Sequence, residues 1–188
     1  MEIGLFFGSF NPIHTGHLII ANHILNYTSV SKIWFVVSPQ NPLKDAGDLL
    51  DAQQRLHLVG LAVNKDERFL VCDVEFQLPK PSYTIDTVHY LQKTYPQNRY
   101  RLIIGSDNFL DLPSWKSHEN LIKEAKIIVY LRPGYPIRAS TPEIEVLSPA
   151  QLDISSTKIR ELIRIGKSVR YMVPDRVFQE IVSNNYYK

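Results

Sequence analysis

The chain has one cysteine, Cys72, among 188 residues. A single thiol excludes an internal disulfide framework, and in the apolar run FLVCDVEF it reads as a small buried hydrophobe suited to a reducing cytoplasm. No apolar run approaches the roughly 18 residues of a membrane span, and MEIGLFFGSF has neither a basic leader nor a cleavage-like site. The chain is therefore expected to be unprocessed, cytoplasmic and free of membrane. Net charge is also scarce, with 21 Lys and Arg against 19 Asp and Glu, a formal +2. That balance offers no broad basic face for nucleic acid, despite the aromatic tail Tyr186-Tyr187-Lys188, so any anion site must be local. Internal repeats, low-complexity tracts and linker-like loops are absent too, so residues 1–188 read as one domain.

The chain does have 44% hydrophobic residues in an alternating order. Ile3 to Phe7, KIWFVVS, FLVCDVEF, RYRLIIG and KIIVYLR read as strands, with EIEVL as a late one. Between them come helical faces: Leu18, Ala21, Ile24 and Leu25; Leu49, Leu56, Val59 and Val63; Ile85, Val88 and Leu91. SDNFLDLPSWKSHENLIKEA reads as a polar and aromatic stretch, and SSTKIRELIRIG and PDRVFQEIVSNNY as closing helices. The alternation predicts an α/β fold, doubly wound, with a mainly parallel sheet, helices on both faces and a small C-terminal helical part.

The first turn, GSFNPIHTGH, concentrates the chemistry. Ligands collect where parallel strands end and helices begin, because helix N-terminal amides are unpaired and the dipole attracts anions. Gly8 and Gly16 permit close backbone approach, and Thr15 as N-cap would put His17 in the first helical turn. His14 and His17 could then donate to phosphate oxygens. A zinc pair is the competing reading, but His23, His57, His89 and His118 show no complementary spacing, and no metal ligand is assigned. Plain capping of a loop by the histidines is another. GxxxxGK[ST] and GxGxxG are absent; Gly166-Lys167-Ser168 lacks both the first loop glycine and a preceding strand.

In SSTKIR, Ser156, Thr157 and Arg160 fall within one helical turn and could grip phosphates together, although Ser155 or Ser156 could equally be an ordinary N-cap. Gly105 and Asp107 follow the strand RLIIG, where a carboxylate can accept from ribose hydroxyls or cap a helix.

Taken together, GSFNPIHTGH and SSTKIR resemble the paired motifs of the nucleotidylyltransferase superfamily. The resemblance implies a Rossmann-like fold. It also implies that His14 and His17, with Arg160, stabilise a triphosphate during transfer, and that Gly8, Ser9, Phe10, Gly105, Asp107, Arg132, Ser156 and Thr157 join them in binding ATP with Mg2+. SYTIDT, GSDNFLDLPSW and the Lys44-containing SPQNPLK further resemble bacterial nicotinate mononucleotide adenylyltransferases over nearly the whole chain. That likeness implies ATP and nicotinate mononucleotide as substrates, the latter held by Ser9, Lys44, Tyr83, Thr84 and Trp115, its pyridine ring stacked on the indole. The chain departs from the family pattern at Ser9, Asn11, Leu43 and WKSHENL. A homo-oligomer is compatible with this reading, and other nucleotidylyltransferases or a non-catalytic nucleotide sensor are its rivals.

Overall fold

In the computed structural model, which describes residues 1–39, 49–137, 141–150 and 152–188, six strands form one sheet. They are β1 (Glu2–Gly8), β2 (Lys32–Val37), β3 (Phe69–Cys72), β4 (Arg99–Gly105), β5 (Ile127–Tyr130) and β6 (Ile144–Leu147). All pair in parallel, in the order β3-β2-β1-β4-β5-β6. The winding reverses between β1 and β4, which opens a crevice at their carboxyl ends.

Among the described residues, seven helices cover this sheet: α1 (Thr15–Tyr27), α2 (Ala52–Val63), α3 (Thr84–Thr94), α4 (Ser106–Asp111), α5 (His118–Ala125), α6 (Ser156–Arg164) and α7 (Asp175–Ser183). The strands read as continuous apolar runs because both faces are buried, yet the period of two sorts their side chains. Ile3 and Leu5 of β1, Leu102 and Ile104 of β4 and Ile127 and Val129 of β5 face α3 and α5, meeting Ile85, Val88, Leu91, Leu121 and Ala125. Phe6, Ile103, Ile128 and Tyr130 face the other way, with Ala21, Ile24, Leu58, Val59, Ile159, Val177 and Ile181 of α1, α2, α6 and α7. The late helices thus complete the core that α1 and α2 begin.

Two local expectations are corrected and one open stretch is assigned. FLVCDVEF is a strand only to Cys72; Val74–Phe76 is a 3-10 turn, which ends the pairing and tucks Glu75 inside. The polar and aromatic stretch after β4, given no elements from the sequence, holds α4, the 3-10 turn Leu112–Ser114 and α5, whose Leu121 and Ala125 supply too brief an apolar face to read as a helix. Leu49 lies before α2, which begins only after the Asp51 carboxylate caps the amides of Gln53 and Gln54.

Candidate active site

The turn after β1 is built on tight packing. Phe10 adopts φ of 44° and is 2% exposed, its ring edge-on to Phe6, Phe35 and His17. A Cβ on Gly8 would come within 2.9 Å of that ring, so the first glycine lets the aromatic fold back over the strand end. Phe10 therefore serves mainly to seat His17, an arrangement the sequence reading did not foresee.

His14, not Thr15, is the N-cap of α1, and His17 is the third helical residue. The reason is that the His14 N–H donates to Nδ1 of His17 at 3.2 Å, which places the extended residue one position earlier. The same bond fixes the neutral His17 tautomer: Nδ1 accepts, so the proton sits on Nε2. The two imidazoles stack 3.7 Å apart. Gly16 lies close beneath them: a Cβ there would sit 3.0 Å from His14 Nδ1 and press on the ring. Burial, reinforced by the positive charge of Arg132, lowers the His14 pKa to about 4, so the ligand-free site holds it neutral at physiological pH.

The C-terminal motif closes on this turn from 144 residues away. The Ser156 hydroxyl donates to the Pro12 carbonyl at 2.9 Å, and Nη1 of Arg160 donates to the Asn11 carbonyl at 2.9 Å. Ser155 takes the capping role on α6, accepting from the Lys158 N–H, which releases Ser156 for this contact. Of the two serines weighed as N-caps from the sequence, Ser155 caps the helix and Ser156 ties it to the β1 turn.

On the β4 side, Asp107 accepts from Arg132 Nη1 through Oδ2 at 2.8 Å, and its buried Oδ1 has no hydrogen-bond partner. The carboxylate is accordingly half engaged by an ion pair that the sequence reading did not include. Gly105 lies against both groups, and a Cβ there would collide with Asp107 Oδ1 and approach Arg132 Nε. Across the crevice, Ser82, Tyr83 and Thr84 lead into α3, whose N-cap, Tyr83, offers no side-chain cap to the first amides. Lys116 Nζ lies 4.7 Å from the Tyr83 ring centre and pairs with Asp86, and the half-buried Trp115 stands next to it.

These groups line one cavity of about 1000 Å³ at the carboxyl end of the sheet. It brings together Gly8, Ser9, Phe10, His14, His17, Tyr83, Thr84, Gly105, Asp107, Trp115, Arg132, Ser156, Thr157 and Arg160. Lys44 lies outside the described residues. Among those described, no three His, Cys, Asp or Glu side chains are grouped to hold a metal ion, and His57 and His89 instead face Glu180 and Glu124.

Two further residues were missed. Arg55 is 1% exposed and donates to four carbonyls: Leu50 at 2.8 Å, Ser9 at 2.6 Å, Ser38 at 2.8 Å and Pro39 at 2.8 Å. It ties the β1 turn to the end of β2. Its signal was a charge four residues before Val59, on the apolar face of α2. Glu75, 2% exposed, lines the cavity with no such signal, since a lone acid after a strand ordinarily faces water.

A cytidylyltransferase-like family model matches residues 5–162. A relative from Flavobacterium johnsoniae, named a probable nicotinate-nucleotide adenylyltransferase, is 43% identical over 192 residues, covering 100% of both chains. The chain belongs to the nicotinate-nucleotide adenylyltransferase family. A Bacteroides fragilis relative of the same name is 44% identical over 183 residues, covering 96% of this chain and 91% of its own. Among solved structures, the nicotinic acid mononucleotide adenylyltransferase of Plasmodium falciparum complexed with NaAD superposes with a TM-score of 0.82, covering 99% of this chain and 97% of that one. At 20% identity that likeness establishes the shared Rossmann-like fold. Among the described residues, no helix is long and apolar enough to cross a membrane.

Proposed function

We propose that the protein transfers the adenylyl group of ATP to the 5′-phosphate of nicotinate mononucleotide, forming deamido-NAD and releasing pyrophosphate. The observation that carries this reading is the closure of the C-terminal motif on the β1 turn, through Ser156–Pro12 and Arg160–Asn11, over a cavity that also contains Tyr83, Thr84 and Trp115. Triphosphate chemistry and a ring-stacking subsite then share one chamber.

The mononucleotide phosphate is already an anion near neutral pH, so an oxygen of it attacks the α-phosphorus without a general base. The bond to the bridging oxygen breaks, and its electron pair leaves with pyrophosphate. What the protein must supply is alignment and neutralisation of charge on the α-phosphoryl oxygens. His17 is poised for this because its Nε2 carries the proton, and neutral His14 donates beside it. Ser156, Thr157 and Arg160 would hold the β- and γ-phosphates. Gly8, Ser9, Phe10, Gly105, Asp107 and Arg132 would line the nucleoside side, and Ser9 the mononucleotide as well. Mg2+ would enter on ATP, held by phosphates and water, adding positive charge against the triphosphate.

Trp115 and the uncapped amides of α3 suit an electron-poor pyridine ring carrying a carboxylate: the indole face attracts the ring, and amides at a helix N-terminus donate to an anion. Cys72 is a buried free thiol, and the reading places the enzyme in the cytoplasm.

The test is pyrophosphate release from Mg-ATP with nicotinate or nicotinamide mononucleotide, together with identification of the dinucleotide. Faster turnover with nicotinate is expected. Preference for nicotinamide would overturn the pocket assignment, and no pyrophosphate with either would overturn the substrate class.

A further inference from the structure

Among the described residues, Glu75 is the one acidic side chain buried to 2% exposure against the cavity proposed to receive the two phosphorylated substrates. A bare carboxylate there would oppose both the phosphates and the acid end of the mononucleotide. The structure surrounds it with hydroxyl donors instead. Ser82 donates to Oε2 at 3.0 Å, Thr87 donates to Oε1 at 3.0 Å, and the Ser38 hydroxyl joins them. Burial holds the Glu75 pKa above the ordinary carboxylate value, and the three hydroxyls offset only part of that rise.

The donors come from separate elements. Ser38 follows β2, Ser82 precedes α3, and Thr87 is fully buried in the first turn of α3. Glu75 itself sits in the 3-10 turn after β3, so one side chain gathers the end of β2 and both flanks of Tyr83-Thr84. Thr87 adds a second restraint, since its N–H donates to the Tyr83 carbonyl at 3.2 Å. The consequence is a fixed peptide path through Ser82, Tyr83 and Thr84, the segment that carries the uncapped amides of α3 to the cavity.

We propose that Glu75 is a positioning residue for the acid end of the mononucleotide: by holding Ser82 and Thr87 it aims the first amides of α3, and so sets the preference for a carboxylate over a carboxamide. The inference rests on the proposed substrate. An acceptor-only carboxylate satisfies fixed N–H donors at both oxygens, whereas a carboxamide turns its own N–H groups against one of them. That discrimination holds only while the donors stay in place.

The experiment measures kcat and KM for ATP, nicotinate mononucleotide and nicotinamide mononucleotide in wild type, Glu75→Ala, Glu75→Gln and Thr87→Val. Gln is isosteric and the hydroxyls can rotate to meet it, so E75Q is the conservative rescue. E75A is expected to raise KM for nicotinate mononucleotide about tenfold and cut the nicotinate-to-nicotinamide ratio of kcat/KM by a similar factor, with KM for ATP unchanged. E75Q should return the ratio to within about threefold of wild type, and T87V, which removes one tether while keeping the shape, should fall between. A ratio unchanged in E75A and T87V overturns the assignment, as does an equal fall in kcat for both mononucleotides. If E75A does not fold, T87V and E75Q carry the same comparison. A wild type inactive with both mononucleotides instead overturns the substrate reading on which the assignment stands.

Discussion

Replacing His14 by asparagine should flatten the acid limb of the protein's stability. The imidazole is 5% exposed and stacked on His17, and burial, with Arg132 as a second cause, lowers its pKa from 6.5 to about 4. Above pH 6.5 the ring is neutral whether the chain is folded or unfolded, and pH has no leverage through this group. As pH falls below 6.5 the unfolded chain takes up the proton and the folded chain does not, so stability is lost until the folded pKa is reached. A depression of that size corresponds to about 3 kcal/mol at roughly 1.4 kcal/mol per pH unit.

Urea unfolding of wild type and His14→Asn at intervals from pH 7.5 to 4 reads the effect. Groups common to both proteins cancel in the difference, apart from coupling to His17 and Arg132, which face the ring from α1 and from the loop after β5. Wild type should lose about 3 kcal/mol more than the variant across that interval, nearly all of it below pH 6.5. In parallel, the proton NMR signal of His14 should stay fixed through pH 6. A wild-type-minus-variant difference constant from pH 7.5 to 4 would refute the burial argument, because an imidazole of ordinary pKa titrates alike in both states.

Three further outcomes are expected. His17→Ala should lower kcat about 10²- to 10³-fold with an unchanged circular dichroism spectrum, and unaltered turnover would remove the Nε2 donor from the chemistry. Arg55→Met leaves the carbonyls of Ser9, Ser38, Pro39 and Leu50 without their donor, so urea unfolding should show a loss above about 3 kcal/mol; a change under about 1 kcal/mol would mean water replaces the guanidinium. Trp115→Ala should raise KM for nicotinate mononucleotide about tenfold, the scale of a desolvated cation–π contact, with KM for ATP unaffected. Equal changes in both constants would reassign the indole to a structural part.

What could be read from the sequence follows from how each feature is encoded. β1, β2, β4 and β5 are buried on both faces, so they appear as unbroken apolar runs, and α3 shows Ile85, Val88 and Leu91 at helical spacing, all buried. The histidine turn was legible because its glycines and paired imidazoles are concentrated where an apolar strand runs into a helical pattern, whereas the seating of His17 by Phe10 left no local signal. α4 and α5 were not, since at 6 and 8 residues they bury too few side chains to leave a period. Arg55 and Glu75 escaped for another reason. A buried charge is made tolerable by partners 5 to 46 residues away in sequence, and no local pattern records them.

The same contrast explains how the site is divided. On the proposed reading, groups on the reaction side are already linked before any ligand arrives: the His14 N–H to the His17 ring, Arg160 to the Asn11 carbonyl and Ser156 to the Pro12 carbonyl. Their geometry is therefore fixed by the fold, which suits a reaction whose rate depends on alignment. On the nucleoside side, Asp107 keeps one oxygen on Arg132 and the other buried without a partner. A buried acceptor left in that state costs about 1–3 kcal/mol, a deficit that a hydroxyl donor entering the cavity would relieve. On the proposed reading the chain holds its phosphate-facing groups preorganised and leaves a buried acceptor unmet at Asp107, where a ribose hydroxyl would complete it. Substrate identity would then be recorded mainly by what binding satisfies, and turnover by what the fold has already arranged.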